Sequence, residues 1–159
     1  MAKKIMVRRA SDNKYLHKDF HNSMNYALNY LGEHYGDEGV KEYLSSFARS
    51  YHLPLIQDIR KRGFDAIEDY LKKIYEAEEA LDVLEIKRDS DSLDINIRQC
   101  PAVTHIVQSN IHPSPWFVET TKTIWATLAE ESGLQFELIS YNHTNGKAAY
   151  RFTRKMMTT

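Results

Sequence analysis

The sequence predicts an α+β domain in which N-terminal helices pack on an antiparallel sheet of two β-hairpins joined by a helix, a β-β-α-β-β unit. Apolar residues in the first half of the chain recur with the period of an α-helix, whereas two later stretches alternate between apolar and polar residues as strands do. Turn-forming residues lie inside each alternating stretch, so each stretch is expected to fold into a hairpin. Strands arranged as hairpins form antiparallel sheets, and helices that precede them favour α+β over α/β.

Four helices are predicted in the first half of the chain, and glycine or proline residues separate them. Gly36 is expected to end the first helix and Gly63 the third, while Pro54 interrupts the chain after the second. Each helix carries apolar residues at spacings of three and four, as Val40 and Leu44 do on the second, so each buries one face. The predicted helices cover about residues 16–34, 37–51, 54–62 and 64–80.

The two alternating stretches are predicted to form hairpins that each have one buried face. Residues 83–98 alternate on either side of a turn-forming Asp-Ser-Asp-Ser segment at 89–92. Residues 135–153 alternate on either side of an Asn-Gly pair at 145–146, which is typical of tight hairpin turns. Both hairpins are therefore expected to present an apolar face to the helices.

A fifth helix is predicted between the hairpins, over about residues 115–132. Pro115 suits the first turn of this helix, and Gly133 ends it. No internal repeat or linker divides the chain. We therefore expect a single domain, residues 1–159, in which residues 1–14 form a leading segment.

The composition excludes several classes of protein. The 159 residues carry a formal net charge of −1, so no excess of positive charge attracts nucleic acid or an anionic membrane. The longest apolar runs fall short of the roughly 18 residues that a membrane-spanning helix needs, and the basic N-terminus lacks the apolar segment of a secretory signal. Cys100 is the only cysteine, which excludes an intrachain disulfide. We therefore expect a cytoplasmic protein that binds neither nucleic acid nor membranes.

Cys100 is the first candidate for a catalytic role. It lies at the end of the predicted second strand, and His105 and His112 follow it along the chain. A thiolate is a strong nucleophile, and a nearby imidazole lowers the pKa of the thiol and later returns a proton. The alternative is that Cys100 is a small buried side chain at a strand terminus, as most free cysteines are.

His17 and His21 raise the question of a metal site. Their spacing places both imidazoles on one face of the first helix, as in metal-binding helices. No glutamate lies between them, and a single cysteine cannot complete a zinc-binding pattern. We interpret the two residues as surface histidines and predict no metal site; the sequence names no cofactor.

The segment from His112 to Trp116 is a stiff loop that precedes the predicted fifth helix. Amide groups at a helix N-terminus attract carboxylates and phosphates, so the loop is a candidate floor for a pocket that binds an anionic ligand. The alternative is that its two prolines only mark the entry to the helix. Tyr30 and Tyr141 are further candidates for contacts with a small-molecule substrate.

Three short motifs resemble those of one known family. Residues 31–36, Leu-Gly-Glu-His-Tyr-Gly, match a helix ending of the form L-x-E-x-Y/F-G, and the Cys-Pro pair at 100–101 matches a hairpin that ends in Cys-Pro. Residues 146–152, Gly-Lys-Ala-Ala-Tyr-Arg-Phe, stand at the place of a last hairpin of the form G-x-C-x-F-x-F. From about residue 20 to residue 152 the chain resembles the L-2-amino-thiazoline-4-carboxylic acid hydrolase-like family, which is itself similar to the 4-vinyl reductase-type ligand-binding domains.

The sequence departs from that family at two cysteine positions. Ala148 stands at the cysteine of the last hairpin motif, and no cysteine lies between Trp116 and Gly133, where the family often has a Cys-x-x-Asp motif. Of the family's cysteines, Cys100 alone remains. This chain therefore cannot carry out a reaction that requires the other thiols.

The resemblance implies a cysteine-dependent hydrolase that acts on a C–N bond of a small cyclic amidine or amino-acid derivative. In that case Cys100 is the nucleophile, His105 is the base, and His112 holds the substrate carboxylate. The alternative is a non-catalytic small-ligand-binding domain of the 4-vinyl reductase type, whose pocket lies between the sheet and the first two helices and includes Tyr30 and Trp116. A third interpretation is a homodimer in which the tyrosine-rich helices form the interface.

Overall fold

The computed structural model describes residues 14–156, with side chains from residue 18 onward. Residues 1–13 of the predicted leading segment therefore lie outside the described residues. The helices are α1 (Lys14–Tyr51), α2 (Leu53–Arg62), α3 (Phe64–Ala77), α4 (Pro101–Gln108) and α5 (Glu119–Ser132). The strands are β1 (Leu84–Arg88), β2 (Ser92–Ile97), β3 (Leu134–Tyr141) and β4 (Ala148–Arg154).

The four strands form one antiparallel sheet in the order β1-β2-β4-β3. β1 pairs with β2 as the first predicted hairpin, and β3 pairs with β4 as the second. The two hairpins meet where β2 pairs with β4, which places Ile95 opposite Tyr150 and Leu93 opposite Phe152. The predicted α+β class, with helices on an antiparallel sheet of two hairpins, is confirmed.

α1 contains the first two predicted helices, which meet at a kink at Gly36. Gly36 has φ 68° and ψ −171°, a backbone conformation that residues with a side chain rarely adopt. A Cβ atom at this position would meet no neighbouring atom, so the backbone conformation rather than the packing requires glycine here. Although α1 is 38 residues long, neither it nor any other helix in the described part of the chain is apolar enough to cross a membrane.

Two apolar clusters hold the helices on the sheet. The larger cluster joins the inner face of the sheet to α2, α3 and α5, and includes Phe64, Leu128 and Tyr150, each of which is almost fully buried. The smaller cluster joins α1 to α4 through side chains such as Leu28 and Ile106. The helices thus form two layers over the sheet, and α1 packs mainly on α5 and α4.

The connection between the hairpins differs from the predicted one. It contains α4 as well as α5, and α4 begins where a loop was expected. β2 ends at Ile97, so Cys100 is the N-cap of α4 and not the end of a strand. Pro101 occupies the first turn of α4, where a missing amide hydrogen removes no hydrogen bond within the helix. α5 begins at Glu119, after a turn over residues 115–118.

Candidate functional site

A groove with ionisable side chains lies between the N-terminal part of α1, the end of α3, and α4. Its volume is about 210 Å³, and Lys18, Glu78 and His105 line it. Three larger grooves on the described surface, of about 420, 440 and 300 Å³, have no histidine, tyrosine or cysteine in their walls. The remaining residues of the groove at α4 are Ala80, Val83, Gln99, Pro101, Thr104 and Gln108.

His21 and Glu78 form a partly buried pair beside this groove. His21 Nε2 lies 2.7 Å from Glu78 Oε1, and 14% of the His21 side chain and 8% of the Glu78 side chain are exposed. A buried carboxylate costs free energy unless hydrogen bonds or an opposite charge compensate it. The hydrogen bond from His21 contributes that compensation, and it fixes the orientation of Glu78 at the groove.

An unusual helix end positions Glu78. The next residue, Glu79, has φ 56°, a left-handed conformation that glycine usually occupies after a helix. The Ala80 amide donates to Tyr75 O at 2.8 Å and the Glu79 amide donates to Glu76 O at 3.0 Å, which are the two hydrogen bonds of a Schellman motif. The left-handed conformation of a residue with a side chain lowers the stability of the folded chain by about 1–2 kcal/mol. Strain of this kind is concentrated at functional sites.

His105 faces α1 from α4. The ring centroids of His105 and His21 are 6.4 Å apart, and Asn22 Nδ2 lies 3.4 Å from His105 Nε2 and 3.3 Å from Ser109 Oγ. The amide group of Asn22 is the donor in the contact with His105 Nε2. Asn22 Oδ1 is enclosed and has no hydrogen-bond partner within the described residues. The groove therefore adjoins an unsatisfied buried acceptor, which native structures seldom keep.

Cys100 is partly buried and is the N-cap residue of α4. Its carbonyl oxygen accepts hydrogen bonds from the Thr104 amide at 3.0 Å and the Thr104 hydroxyl at 2.9 Å. Burial raises the pKa of the Cys100 thiol and Glu78 adds to this rise, whereas the amides of Val103 and Ala102 lower it. Burial is the largest of these effects, so the thiol keeps its proton at neutral pH. Reactive cysteines have the opposite shift in pKa.

The structure does not bring Cys100 and His105 together as a nucleophile and a base. Five residues of an α-helix correspond to a rotation of about 140°, so the two side chains face different neighbours. His105 faces Asn22 of α1, whereas Cys100 packs against Gly146 in the turn between β3 and β4. The raised pKa of the thiol is consistent with this separation.

His112 and Trp116 make contacts away from the groove. The His112 side chain is exposed, and its carbonyl oxygen accepts a hydrogen bond of 2.9 Å from the Asn25 side chain. Trp116 packs against Gly32 of α1 and donates from Nε1 to Asp37 Oδ1 at 2.7 Å. The loop before α5 is therefore tied to α1, and neither predicted binding residue lines the groove.

Tyr30 and Tyr141 lie in different parts of the molecule. Tyr30 is 55% exposed on α1 and stacks on His34 with a centroid distance of 4.1 Å. Tyr141 ends β3, where burial and then the nearby Cys100 raise the pKa of its hydroxyl. Of the six predicted catalytic and binding residues, Tyr141 thus lies near Cys100, whereas Tyr30 lies apart from both.

His17 and His21 were interpreted as surface histidines; the side chain of His17 lies outside the described residues, and only 14% of the His21 side chain is exposed. Among the side chains of residues 18–156, no three His, Cys, Asp or Glu residues converge as the ligands of a metal ion would. His21 instead contacts Glu78.

Three residues of the groove region were not predicted from the sequence: Lys18, Asn22 and Glu78. Asparagine is a poor helix former, so an asparagine beside the apolar stripe of the first helix was the available signal for Asn22. Glu78 lies 57 residues from His21 in the sequence. Their contact depends on how α3 packs beside α1, which no local pattern reveals.

No protein-family model and no curated protein sequence matches this chain. The resemblance to the L-2-amino-thiazoline-4-carboxylic acid hydrolase-like family therefore stays a prediction. The structure defines an α+β domain with a polar groove beside a partly buried histidine–glutamate pair.

Proposed function

We propose that the protein is a small-ligand-binding domain whose ligand occupies the groove between α1, α3 and α4. The observation that carries this proposal is the convergence of Lys18, Glu78 and His105 on one groove, with Glu78 buried and hydrogen bonded to His21. Ionisable side chains that converge on one cleft are candidates for groups that bind a ligand. The unpartnered Oδ1 atom of Asn22, behind His105, also supports it.

The walls of the groove indicate the kind of ligand. The Lys18 ammonium and the His105 imidazole suit a carboxylate or another anionic group. Glu78 suits a cationic or hydrogen-donating group, and the side chains of Gln99 and Gln108 suit neutral polar atoms. The groove, at about 210 Å³, is smaller than typical pockets for drug-sized molecules, so the ligand is a small polar molecule.

Calorimetric titration of the whole chain with small carboxylates, amines and amino acids tests this proposal. We expect saturable binding of at least one compound that bears a carboxylate, and at least about fivefold weaker binding by Lys18→Gln and His105→Gln, because each loses a charge-assisted hydrogen bond. Lys41→Gln changes an exposed lysine elsewhere on α1 and is the matched control. Binding that is equally strong in all three variants would rule the groove out.

A second candidate function is the cysteine-dependent hydrolysis of a C–N bond in a small cyclic amidine or amino-acid derivative. The observation that favours it is the position of Cys100 at the N-terminus of α4, next to Gln99 and Pro101 of the groove. Amide groups at a helix start stabilise a thiolate, although burial acts against ionisation here.

The rate of Cys100 alkylation by iodoacetamide as a function of pH separates the two functions. A binding domain with a structural cysteine predicts slow alkylation that accelerates only above the free-thiol pKa of about 8.5. Rapid alkylation at pH 7, together with turnover of cyclic amidines that Cys100→Ser abolishes, would establish the hydrolase instead.

We also propose that the protein is cytoplasmic and forms a homodimer through α1. A single cysteine suits a reducing compartment. Tyr26, Tyr30 and Tyr51 on α1 are 59%, 55% and 69% exposed, and tyrosine is enriched in protein interfaces. Light scattering over a range of concentrations tests the dimer, with Tyr26→Ser/Tyr30→Ser expected to favour the monomer. A monomer at every concentration would exclude it.

A further inference from the structure

β1 is an open edge strand of the sheet. The strand order is β1-β2-β4-β3, so within the described residues β1 pairs with β2 alone. An edge strand presents unpaired amide and carbonyl groups to another strand, and native proteins usually block such edges. The other edge strand, β3, has a β-bulge at Ile139, which interrupts pairing. β1 contains neither a bulge nor a proline, so its edge is available for pairing.

The pairing of β1 with β2 determines which main-chain groups of β1 point to the open edge. The Arg98 amide donates to Val83 O at 2.9 Å, and the Asp89 amide donates to Ser92 O at 3.0 Å. Hydrogen-bonded and non-hydrogen-bonded pairs alternate along an antiparallel ladder. The odd-numbered residues of β1 therefore bond to β2, whereas the even-numbered residues direct their amide and carbonyl groups away from it.

The two faces of β1 differ in polarity. Glu85 and Lys87 lie on the outer face, where 56% and 69% of their side chains are exposed, and their charged groups are 3.3 Å apart. Leu84 and Ile86 lie on the inner face and are half-buried against the larger apolar cluster. Together with Leu81, which is 47% exposed, they line the groove of about 440 Å³ beside α3. The edge thus combines a partly uncovered apolar face with two exposed charges of opposite sign.

β1 is complementary to a second copy of itself in an antiparallel arrangement. When Ile86 lies opposite the partner's Ile86, even-numbered residues face each other, and their outward amide and carbonyl groups form hydrogen bonds. The same register places Glu85 opposite the partner's Lys87 and Lys87 opposite the partner's Glu85. Opposite charges that face each other across two strands stabilise the pairing.

The charges also exclude the neighbouring registers. A slip in one direction places Glu85 opposite the partner's Glu85, and a slip in the other direction places Lys87 opposite the partner's Lys87. Like charges directly opposite each other destabilise a strand pair. The pattern of charges on β1 therefore favours one register, the one centred on Ile86.

We propose that two copies of this chain associate through β1, so that two four-stranded sheets join into one sheet of eight strands. Such a contact is two-fold symmetric and uses the same surface of both copies. The partner's Ile86 then lies beside Ile86 on the inner face and covers part of the apolar groove at α3. This contact includes neither the groove between α1, α3 and α4 nor the tyrosines of α1, and it does not depend on the functions proposed for them.

Sedimentation equilibrium of the Tyr26→Ser/Tyr30→Ser variant tests the proposal, because association through α1 is weakened in that background. We expect a dimer that forms as the concentration rises. Glu85→Lys and Lys87→Glu, added singly, each place like charges opposite each other at two symmetric positions. Each should therefore raise the Kd of the dimer by at least about tenfold. Lys147→Glu changes the charge in the exposed turn between β3 and β4 and should leave the Kd unchanged.

Restoring the opposite charges makes the outcome decisive. The double variant Glu85→Lys/Lys87→Glu exchanges the two charges and should return the Kd to within about threefold of the background value. An equimolar mixture of the two single variants should form heterodimers, because an edge with two lysines then faces an edge with two glutamates. Hydrogen exchange at the Ile86 and Arg88 amides should slow as the dimer forms, since these amides become hydrogen bonded.

Three results would overturn the proposal. The first is a monomer at every concentration up to about 1 mM. The second is association of the single variants that equals that of the background or fails to recover when the opposite charges are restored. The third is a dimer in which the Ile86 amide exchanges as fast as in the monomer, which would place the contact elsewhere on the molecule.

Discussion

Gly146 packs directly against Cys100, and the contact leaves no room for a Cβ atom on Gly146. Gly146 also has φ 69°, so both its backbone conformation and its packing require glycine. The Cys100 amide donates to Asn145 O at 3.0 Å in the same turn. The tight turn between β3 and β4 thus fixes the residue from which α4 starts.

Gly146→Ala is expected to destabilise the protein by about 3 kcal/mol, from the left-handed backbone and the steric overlap together. Urea denaturation measures the change in the free energy of unfolding. Gly133→Ala is the matched control, because Gly133 has φ 77° but no atom within 4 Å of its Cβ position. Gly133→Ala should lower the free energy of unfolding by about 1 kcal/mol. Equal losses in the two variants would show that the contact with Cys100 is unimportant.

Gly32 of α1 is required for a different reason, because its Cβ position overlaps the ring of Trp116. In an open helix, alanine is more stable than glycine by about 1 kcal/mol. We expect the overlap to outweigh this gain, so that Gly32→Ala destabilises the protein by about 1–2 kcal/mol and alters Trp116 fluorescence.

The Trp116→Ala background provides the control for Gly32. Once the indole is removed, the same Gly32→Ala substitution should stabilise the protein by about 1 kcal/mol, as helix propensity predicts. A change of the same sign in both backgrounds would contradict the proposed overlap.

His52 makes stability depend on pH on the acid side. Burial lowers the pKa of His52, whose ring packs edge-on against Phe47, Tyr51 and Tyr70. As the pH falls below the ordinary value of about 6.5, the unfolded chain binds the proton more readily than the folded chain, so stability decreases. Thermal unfolding between pH 7 and pH 5 should show a smaller decrease for His52→Asn than for the parent. His143→Asn, in an exposed turn, should behave as the parent does.

The fold class follows from the sequence because hydrophobic periodicity reports which face of each element is buried. Leu93, Ile95 and Ile97 alternate with polar residues on β2 and are all buried. α4 was not predicted because a proline such as Pro101 is compatible with two structures: it can end a strand or begin a helix. The spacing of Val103 and Ile106 fits a helix. However, α4 has only eight residues and no favourable N-cap, so its pattern is too short to predict a helix from the sequence.

The sites depend on features that no local pattern contains. The pair of His21 and Glu78 requires α3 to end beside α1, and the strained Glu79 replaces the glycine that would have marked the helix end. The register of β3 against β4 shifts between Leu138 and Ser140, which makes a β-bulge at Ile139. The bulge reverses the alternation of β3, so Tyr141 lies on the same face as Leu138 and near Cys100. Bulges have weak sequence signals, so a regular strand pattern assigns Tyr141 to the wrong face.

The burial of Cys100 and Tyr150 predicts that the protein loses stability in mild alkali. Burial raises the pKa values of Cys100 and Tyr150 above their unfolded values of about 8.5 and 10. Between the unfolded and the folded pKa the unfolded chain has released a proton that the folded chain keeps, so stability decreases as the pH rises, by up to about 1.4 kcal/mol per pH unit for each group.

Urea denaturation between pH 7 and pH 11 tests this sign and its origin. Cys100→Ala should make the decrease shallower from about pH 8.5, and Tyr150→Phe should do so only from about pH 10, because each removes one ionisable group of known unfolded pKa. Tyr30→Phe removes an exposed phenol and should reproduce the parent curve. If Tyr150→Phe steepened the decrease, or if all four curves coincided, burial would not control these two ionisations.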